Sequence, residues 1–287
     1  MITWQIILYI LYAGVLYSLL VIGFGFILRS VKFFNVAYGG AFLVGGYMMF
    51  LFYRVLVISF IPAIFLSLFI SGLYLFLSHK FIFSFLINRK ANNFVLLIAS
   101  FGFLTATSSV LGMIFGSQAT IIARRLSDIH SLNIFGGTLN IVEALAIIII
   151  FTLICIFAFI YFKTHFGRVI RAVEDDSEVA ELVGIPKGKI FSQLFFIGGA
   201  LAGLGGIIQG LNVGIVPASG LLFMLPVIVI SVLGGIRSFW GGIIGAFILA
   251  IAQKLTVVFF GGSWEQAVPF VILIIVLLVR PEGILKK

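Results

Sequence analysis

Residues 141–190 read IVEALAIIII FTLICIFAFI YFKTHFGRVI RAVEDDSEVA ELVGIPKGKI, and the contrast between the two parts of that stretch decides the class of the chain. Ile141 to Phe162 is a nearly unbroken apolar run, as long as the ~20 residues a bilayer-spanning helix needs. It stops at a hydrophilic loop, about residues 163–190, which holds five of the nine carboxylates within eight positions: Glu174, Asp175, Asp176, Glu178 and Glu181. A second apolar run starts at Phe191. A chain that crosses a membrane and gathers its acids in one inside loop offers that loop to a partner.

Within the loop, Val169, Val173, Ala180 and Val183, with Ala172 and Val179 alongside, keep to one helical face. Arg171, Glu174, Asp175, Glu178 and Glu181 populate the other. Gly167 precedes the pattern, and Gly184 followed by Pro186 stops it. The spacing predicts one amphipathic helix of about four turns. Its acidic face would be repelled by an anionic inner leaflet, so a basic cleft on a soluble partner suits it better than lipid; a solvated helix without a partner is the bland alternative.

Composition places the rest of the chain in lipid. Of its 287 residues 62% are hydrophobic and 9% charged, with mean hydropathy +1.31, where soluble domains carry about 25% charge. The net charge of +9 needs no nucleic acid, because cytoplasmic loops of membrane proteins collect Lys and Arg. Cys155 is the only cysteine, and His79, His130 and His165 are scattered, so neither an intrachain disulfide nor a metal site is expected. The N-terminal apolar run continues to about Leu28, too long for a signal-peptide core, and is expected to be an uncleaved first helix.

The expected fold is an all-α, polytopic membrane domain over residues 1–287, with about 8–9 spans. Candidates lie near 5–28, 33–53, 55–77, 94–115, 141–162, 191–213, 221–236, 241–260 and 267–279. The Gly-rich second, or one of the two short spans (the seventh and the last), is a candidate for a broken or re-entrant segment. With the C-terminus cytoplasmic, fourteen of the eighteen basic residues fall inside (Arg29, Lys32, Lys80, Arg89, Lys90, Lys163, Arg168, Arg171, Lys187, Lys189, Arg237, Arg280, Lys286, Lys287) and Arg54, Arg124 and Arg125 outside. Small residues recur at every fourth position over Gly198, Ala202, Gly206, Gly210 and Gly214, with Gly199 and Gly203 in a parallel row. Such rows allow close helix packing or, less commonly, line a moving surface. A weak echo links residues 32–42 (KFFNVAYGGAF) with 237–247 (RSFWGGIIGAF).

The loop 167–185, GRVIRAVEDDSEVAELVGI, resembles the coupling loop of permease subunits in ABC importers of branched-chain amino acids. The family reads approximately G-x-x-x-R-A-x-x-x-D-x-x-x-A-x-x-x-G-I, and Arg171, Ala172, Asp176, Ala180, Gly184 and Ile185 match. Residues 35–39 (NVAYG), 232–236 (VLGGI) and 278–283 (LVRPEG) are similar to further family motifs in the right order, and the length suits the shorter permease type. Tyr38, where His is common, and Arg237-Ser238, where another Gly is usual, depart from the pattern. The resemblance implies a permease whose loop docks on separate cytoplasmic ATPases carrying ATP and Mg, alongside a second permease and an extracytoplasmic substrate-binding protein. Arg171, Glu174, Asp176 and Glu181 would then be polar contacts to the ATPase, Ala172 and Ala180 close-packing positions, and Gly184 the helix end.

The chain itself is expected to hold no catalytic site. Residues 184–190 (GIPKGKI) are spaced wrongly for a phosphate loop and end in Ile190 where Ser or Thr is required. Polar residues at membrane depth are few and mark candidate substrate contacts: Asn35 and Tyr38; Ser100 and Thr105, with Thr107; Gln209 and Asn212. Interhelical hydrogen bonding is their competing role. Glu143 suits a helix start and Lys254 the outer interface. The outer loop 116–140, with Arg124, Arg125, Asp128 and His130, is a candidate dock for a binding protein. Import of another small polar solute (urea, an amide or a sugar) is the neighbouring alternative. A solitary ion-coupled carrier and a membrane enzyme are rivals from other classes that lack the ionisable clusters they need.

Overall fold

The computed structural model describes residues 4–122, 132–134, 137–236, 238–280 and 283–284. At ~1.5 Å rise per residue, the 28-residue α1 (Trp4–Val31) is about 42 Å long, enough to cross a ~30 Å hydrocarbon core. The 13-residue α2 (Tyr38–Phe50) is about 20 Å and falls short, although a wide turn prolongs it over Leu51–Val55. α3 (Phe60–Ser78) runs through a similar turn into the short α4 (Ser84–Asn88). α5 (Asn93–Phe115) follows, started by the Asn92 side chain, which accepts from the Val95 N–H at 2.9 Å. A two-strand antiparallel hairpin, β1 (Leu132–Ile134) and β2 (Gly137–Leu139), precedes α6 (Ile141–Lys163). Then come the loop helices α7 (His165–Asp175) and α8 (Ser177–Leu182), and α9 (Lys187–Asn212), α10 (Ser219–Gly234), α11 (Phe239–Phe260) and α12 (Val268–Val279).

Every expected span falls on helix. Among the described residues α1, α3–α4, α5, α6, α9 and α11 are long and apolar enough to cross a membrane, and α10 and α12 are shorter apolar helices. The expected breaks are located: the second and seventh spans, α2 and α10, both begin inside the bundle. Arg124, Arg125, Asp128 and His130 lie outside the described residues.

Burial shows which helices form the centre. Over their most apolar windows α9 is 72% and α1 61% buried, against 17% for α6 and 22% for α5. α1 and α9 run antiparallel in contact: Gly198 packs on Ile27 and the Gly23 carbonyl, Gly205 on Leu20, and Asn212 donates to the Tyr12 hydroxyl at 3.3 Å. The glycine row of α9 serves packing on three sides. Gly198 faces α1, Gly206 the Phe42 carbonyl of α2, and Gly199 the Ser71 carbonyl of α3. The Ser71 hydroxyl lies 2.7 Å from the carbonyls of both Ala41 and Gly199 and so pins α2 and α9 to α3. Bare backbones at these crossings gain dispersion contacts that larger side chains would prevent.

The bundle contains an inverted repeat that the sequence echo misses. Tyr38 and Ser219, the first residues of α2 and α10, are 181 positions apart, and the same shift carries α1 onto α9 and α3 onto α11 to within two residues. The equivalent glycines meet. A Cβ on Gly39 would sit 2.5 Å from the Gly220 carbonyl oxygen, and one on Gly220 2.7 Å from that of Gly39. Reciprocal contact between equivalent residues puts this crossing on a pseudo-two-fold axis, the arrangement of inverted-repeat transporters with discontinuous helices. The echo of 32–42 with 237–247 instead pairs the break before α2 with the start of α11, and Arg237 lies outside the described residues.

The helix directions gather the basic ends on one face. The His79 ring lies 4.4 Å from that of Phe195, which brings the end of α3 to the loop end of α9. The Ile284 N–H bonds to the Leu233 carbonyl at 2.8 Å, holding the C-terminal segment beside the end of α10 on that same loop face.

Candidate functional site

The acidic segment folds as two helices, a correction to the single helix its periodicity predicts. The Thr164 hydroxyl accepts from the Gly167 N–H at 3.1 Å and starts α7, and Gly167 is pressed against the last carbonyls of α6, where a Cβ has no room. At Asp176 the backbone leaves the helix (φ −147, ψ 108), and its carboxylate accepts from Glu178 and Val179 N–H at 2.9 and 3.1 Å to cap α8. Those donors hold the Asp176 carboxyl below its ordinary pKa. The stretch Val173–Ala180 keeps its heptad spacing across the break, so periodicity could not see it. The Asp176-Ser177 pair was the available signal. At the far end Gly184 is left-handed (φ +89), and the bonds Gly184 N–H to Glu181 and Ile185 N–H to Ala180 close a Schellman turn.

Of the four residues expected to face a partner, Arg171 and Glu174 are engaged by the bundle, and Asp176 is exposed but used as a helix cap. Glu174 accepts from Arg29 Nε of α1 at 2.9 Å and from the Tyr161 hydroxyl of α6 at 2.6 Å, and the Arg29 and Glu174 side chains are 6% and 7% exposed. Arg171 donates to the Tyr161 carbonyl, its guanidinium 5.4 Å from the ring centroid. That ring stacks on Phe239, the first residue of α11, at 5.3 Å. Asp176 serves as the cap. Removing one partner of such a buried pair costs about 3–5 kcal/mol, because the other charge is left uncompensated. α7 is therefore fastened to α1 and α6, and the Tyr161 ring of α6 links that joint to the start of α11.

α8 is the opposite case. Ala180 is buried against the bundle, while Val179, Leu182 and Val183 are exposed, Leu182 at 87%. Asp175, Glu178 and Glu181 are exposed around them, Glu181 with Lys187 at 2.6 Å. The tip is an apolar knob with an acidic collar, chemistry that sequence reasoning assigned to the acids alone. Ala172 is half-buried in α7.

The candidate substrate residues separate into three sets. Asn35 Oδ1 accepts from the Ala37 N–H at 3.1 Å, Tyr38 donates to the Leu20 carbonyl at 2.8 Å, and Ser100 accepts from the Val36 N–H at 3.0 Å; all three are buried. They hold the non-helical entry to α2. Thr105 is exposed and bonds back to Gly102 of its own helix. Gln209 and Asn212 instead line a chamber of about 380 Å³ on the face opposite the loop, together with Tyr12, Glu143 and Lys254. Glu143 closes a capping box with Asn140 and accepts from Asn212 at 3.1 Å. Lys254 pairs with Glu265 at 2.6 Å.

A bundle of membrane-length helices, an inverted repeat and a braced loop helix with a free tip suit a transport subunit, and known proteins agree. The chain is 26% identical over 285 residues to the high-affinity branched-chain amino acid transport system permease protein LivH of Escherichia coli, covering 96% of this chain and 92% of the relative. It is 29% identical to the probable branched-chain amino acid transport permease protein LivH of Methanocaldococcus jannaschii, with coverage of 96% and 91%. Among solved structures, PsaBC from Streptococcus pneumoniae in complex with Fab shares the fold, with TM-score 0.52 at 14% identity over 98% of this chain and 94% of that one. The family model for the permease component of the branched-chain amino acid transport system matches residues 6–277. The chain is an integral membrane protein and belongs to that permease family.

Proposed function

We propose that the chain is one of two permease subunits in an ATP-driven importer of branched-chain amino acids, with separate ATPases bound at α7–α8 on the cytoplasmic side. The observation that carries the coupling role is the pairing of an exposed apolar tip, Val179, Leu182 and Val183, with a base fastened through Arg29–Glu174. An exposed apolar cluster on a soluble-facing element marks an interaction site, and the buried pair makes its displacement felt by α1. Glu181 and the knob meet the ATPase, which holds the ATP and Mg; Ala180, Gly167 and Gly184 shape the element. The loop face, with the C-terminal segment, is cytoplasmic because the basic residues gather there. A binding protein delivers the solute to the opposite face.

The test is purification from native membranes in mild detergent, with each co-purifying chain identified, followed by uptake of L-leucine into ATP-loaded proteoliposomes. Leu182→Asp should abolish ATPase association and uptake while membrane insertion stays normal. A complex that keeps its ATPases and its uptake after Leu182→Asp sinks the coupling assignment.

A further inference from the structure

Two cations at the loop face have no counter-ion. Lys32 and Arg171 line, with Arg29, a cleft of about 610 Å³, within the ~300–1,000 Å³ typical of small-molecule sites. Arg29 is paired with Glu174, but among the described residues Lys32 and Arg171 make no ion pair. Lys32 Nζ donates to the Asp175 carbonyl at 3.3 Å, and Arg171 donates to the Tyr161 carbonyl. Each spends one donor on a neutral acceptor and keeps others free. Arg29 is unfinished as well. Its Nε holds Glu174, while its Nη2 is buried without a hydrogen-bond partner, in a residue 8% exposed. A buried donor on a charged group is costly to leave unmade.

The acids of the cleft do not cancel this. Glu174 is taken by Arg29 and by the Tyr161 hydroxyl at 2.6 Å, and Asp175 is exposed with no cation within ion-pair distance. Three basic side chains against two acidic ones leave the described lining one positive charge in excess. Asp176 feels Lys32 from outside the lining, but its carboxylate is committed to the α8 cap. Arg237 and Glu282, next in sequence to Ile236 and Gly283, lie outside the described residues and carry one charge of each sign. Just past the end of α1, Lys32 keeps a left-handed backbone (φ +56), where glycine is the usual residue.

The surroundings belong to a membrane surface. The cleft lies at the last turns of α1 and α6, and α6 is the least buried of the membrane-length helices. Beside Tyr161 the exposed rings of Phe162 and Trp240 stack at 6.0 Å, and Trp is enriched in the interfacial belt of membrane proteins. Basic pockets between membrane helices on the cytoplasmic side suit anionic headgroups. Phe34 and Ile236 add apolar wall for the carbons next to such a headgroup.

We propose that this cleft binds a phosphate group, the phosphodiester of an anionic lipid of the inner leaflet, with Lys32, Arg171 and Arg29 as its donors. Free phosphate offers the same anion without acyl chains. The site goes beyond the importer reading, since it needs neither solute nor ATPase. Arg29 and Arg171 also brace α7, so an occupied cleft ties the loop helix to the membrane surface.

The chain is purified from native membranes with the chains that accompany it and delipidated in mild detergent. Native mass spectrometry then follows titration with dioctanoyl phosphatidylglycerol, dioctanoyl phosphatidylcholine or inorganic phosphate. The unaltered protein should bind phosphatidylglycerol saturably and roughly tenfold more tightly than phosphatidylcholine, the preference two unpaired cations give. Lys32→Gln should weaken that binding about tenfold, as loss of one charge-assisted hydrogen bond does. Lys32→Arg, which keeps the charge, should retain it. Lys32 is exposed, so both variants leave the buried Arg29–Glu174 pair in place. Equal binding of the two lipids, or phosphatidylglycerol binding unchanged in Lys32→Gln, overturns the proposal. Inorganic phosphate that displaces phosphatidylglycerol at equal concentration, and is itself weakened by Lys32→Gln, overturns the lipid source and keeps the anion site.

Discussion

The two halves of the inverted repeat end in the same architecture and opposite electrostatics. The last turn of α1 carries Arg29 at the loop face, and the last residue of α9 is Asn212 at the opposite face. Each clasps a buried glutamate beside a cavity: Glu174 at a cleft of about 610 Å³ and Glu143 at the chamber of about 380 Å³. Glu174 is neutralised by a guanidinium at 2.9 Å, whereas Glu143 has an amide at 3.1 Å. A balanced pair has a large cost for separation, which suits a mechanical joint. One scaffold, used twice in opposite directions, thus carries a buried ion pair at the loop face and a glutamate held by an amide at the opposite face.

The largest effect that breaks the comparison is on the latch. Glu174→Ala leaves Arg29 buried without its counter-ion and should cost about 3–5 kcal/mol locally. The expected readout is loss of ATP-driven uptake with ATPases still bound, because the α8 tip is untouched. Arg29→Met with Glu174→Met should recover part of the stability, since an apolar replacement of both partners removes the stranded charge. If the double variant is as unstable as the single, the pair is not the joint.

The axis gives the next largest effect. Gly39→Ala and Gly220→Ala each drive a methyl into the other's carbonyl, and overpacking of this kind costs about 1–3 kcal/mol. A true two-fold crossing requires the two losses to be alike, and thermal unfolding of the purified complex compares them directly. A cost confined to Gly39 would mean that the repeat is one of connectivity and not of packing.

The spans were legible because apolar runs of membrane length have few other uses. The breaks within them were not, beyond the suspicion raised by short or Gly-rich segments. Residues 33–38 are as apolar as a span, and only the meeting of Gly39 with Gly220 from another part of the chain fixes where α2 begins. The latch was hidden for a related reason. Glu174 sits on the same periodic polar face as Glu178, and what distinguishes it is Arg29, 145 positions away. Helical periodicity sorts residues by face and carries no record of which polar residue finds a buried partner. The chamber was half legible. Gln209 and Asn212 stood out as polar residues at depth, but Glu143 read as an ordinary helix start, because its bond to Asn212 of another helix appears only in three dimensions.

A third effect, smaller again, concerns Gly184. A side chain in its left-handed conformation costs roughly 1–2 kcal/mol, and the space around it is open. Gly184→Ala should therefore loosen the end of α8 through backbone strain alone, lowering amide protection of residues 181–185 and ATPase affinity together. Unchanged protection would show that the turn relaxes freely.

The smallest expected effect is a pH dependence that separates α8 from α7. Asp176 caps α8 as a carboxylate, and its pKa is lowered by the Val179 and Glu178 N–H groups, with Lys32 adding to the shift. A depressed carboxyl contributes stability above its unfolded value, and loses it as pH falls through the lower folded value. The cap should therefore weaken only below about pH 4, where an ordinary Asp begins to protonate. α7, held at its start by the neutral Thr164 hydroxyl, has no such titration in its own cap. Amide exchange of Glu178 and Val179 followed between pH 3 and 6 should show protection falling at the acid end in the unaltered chain. Asp176→Asn, which keeps an acceptor oxygen but cannot ionise, should give protection that is lower at pH 6 and flat with pH. The same acid-end fall in both proteins would place the titrating group outside the α8 cap.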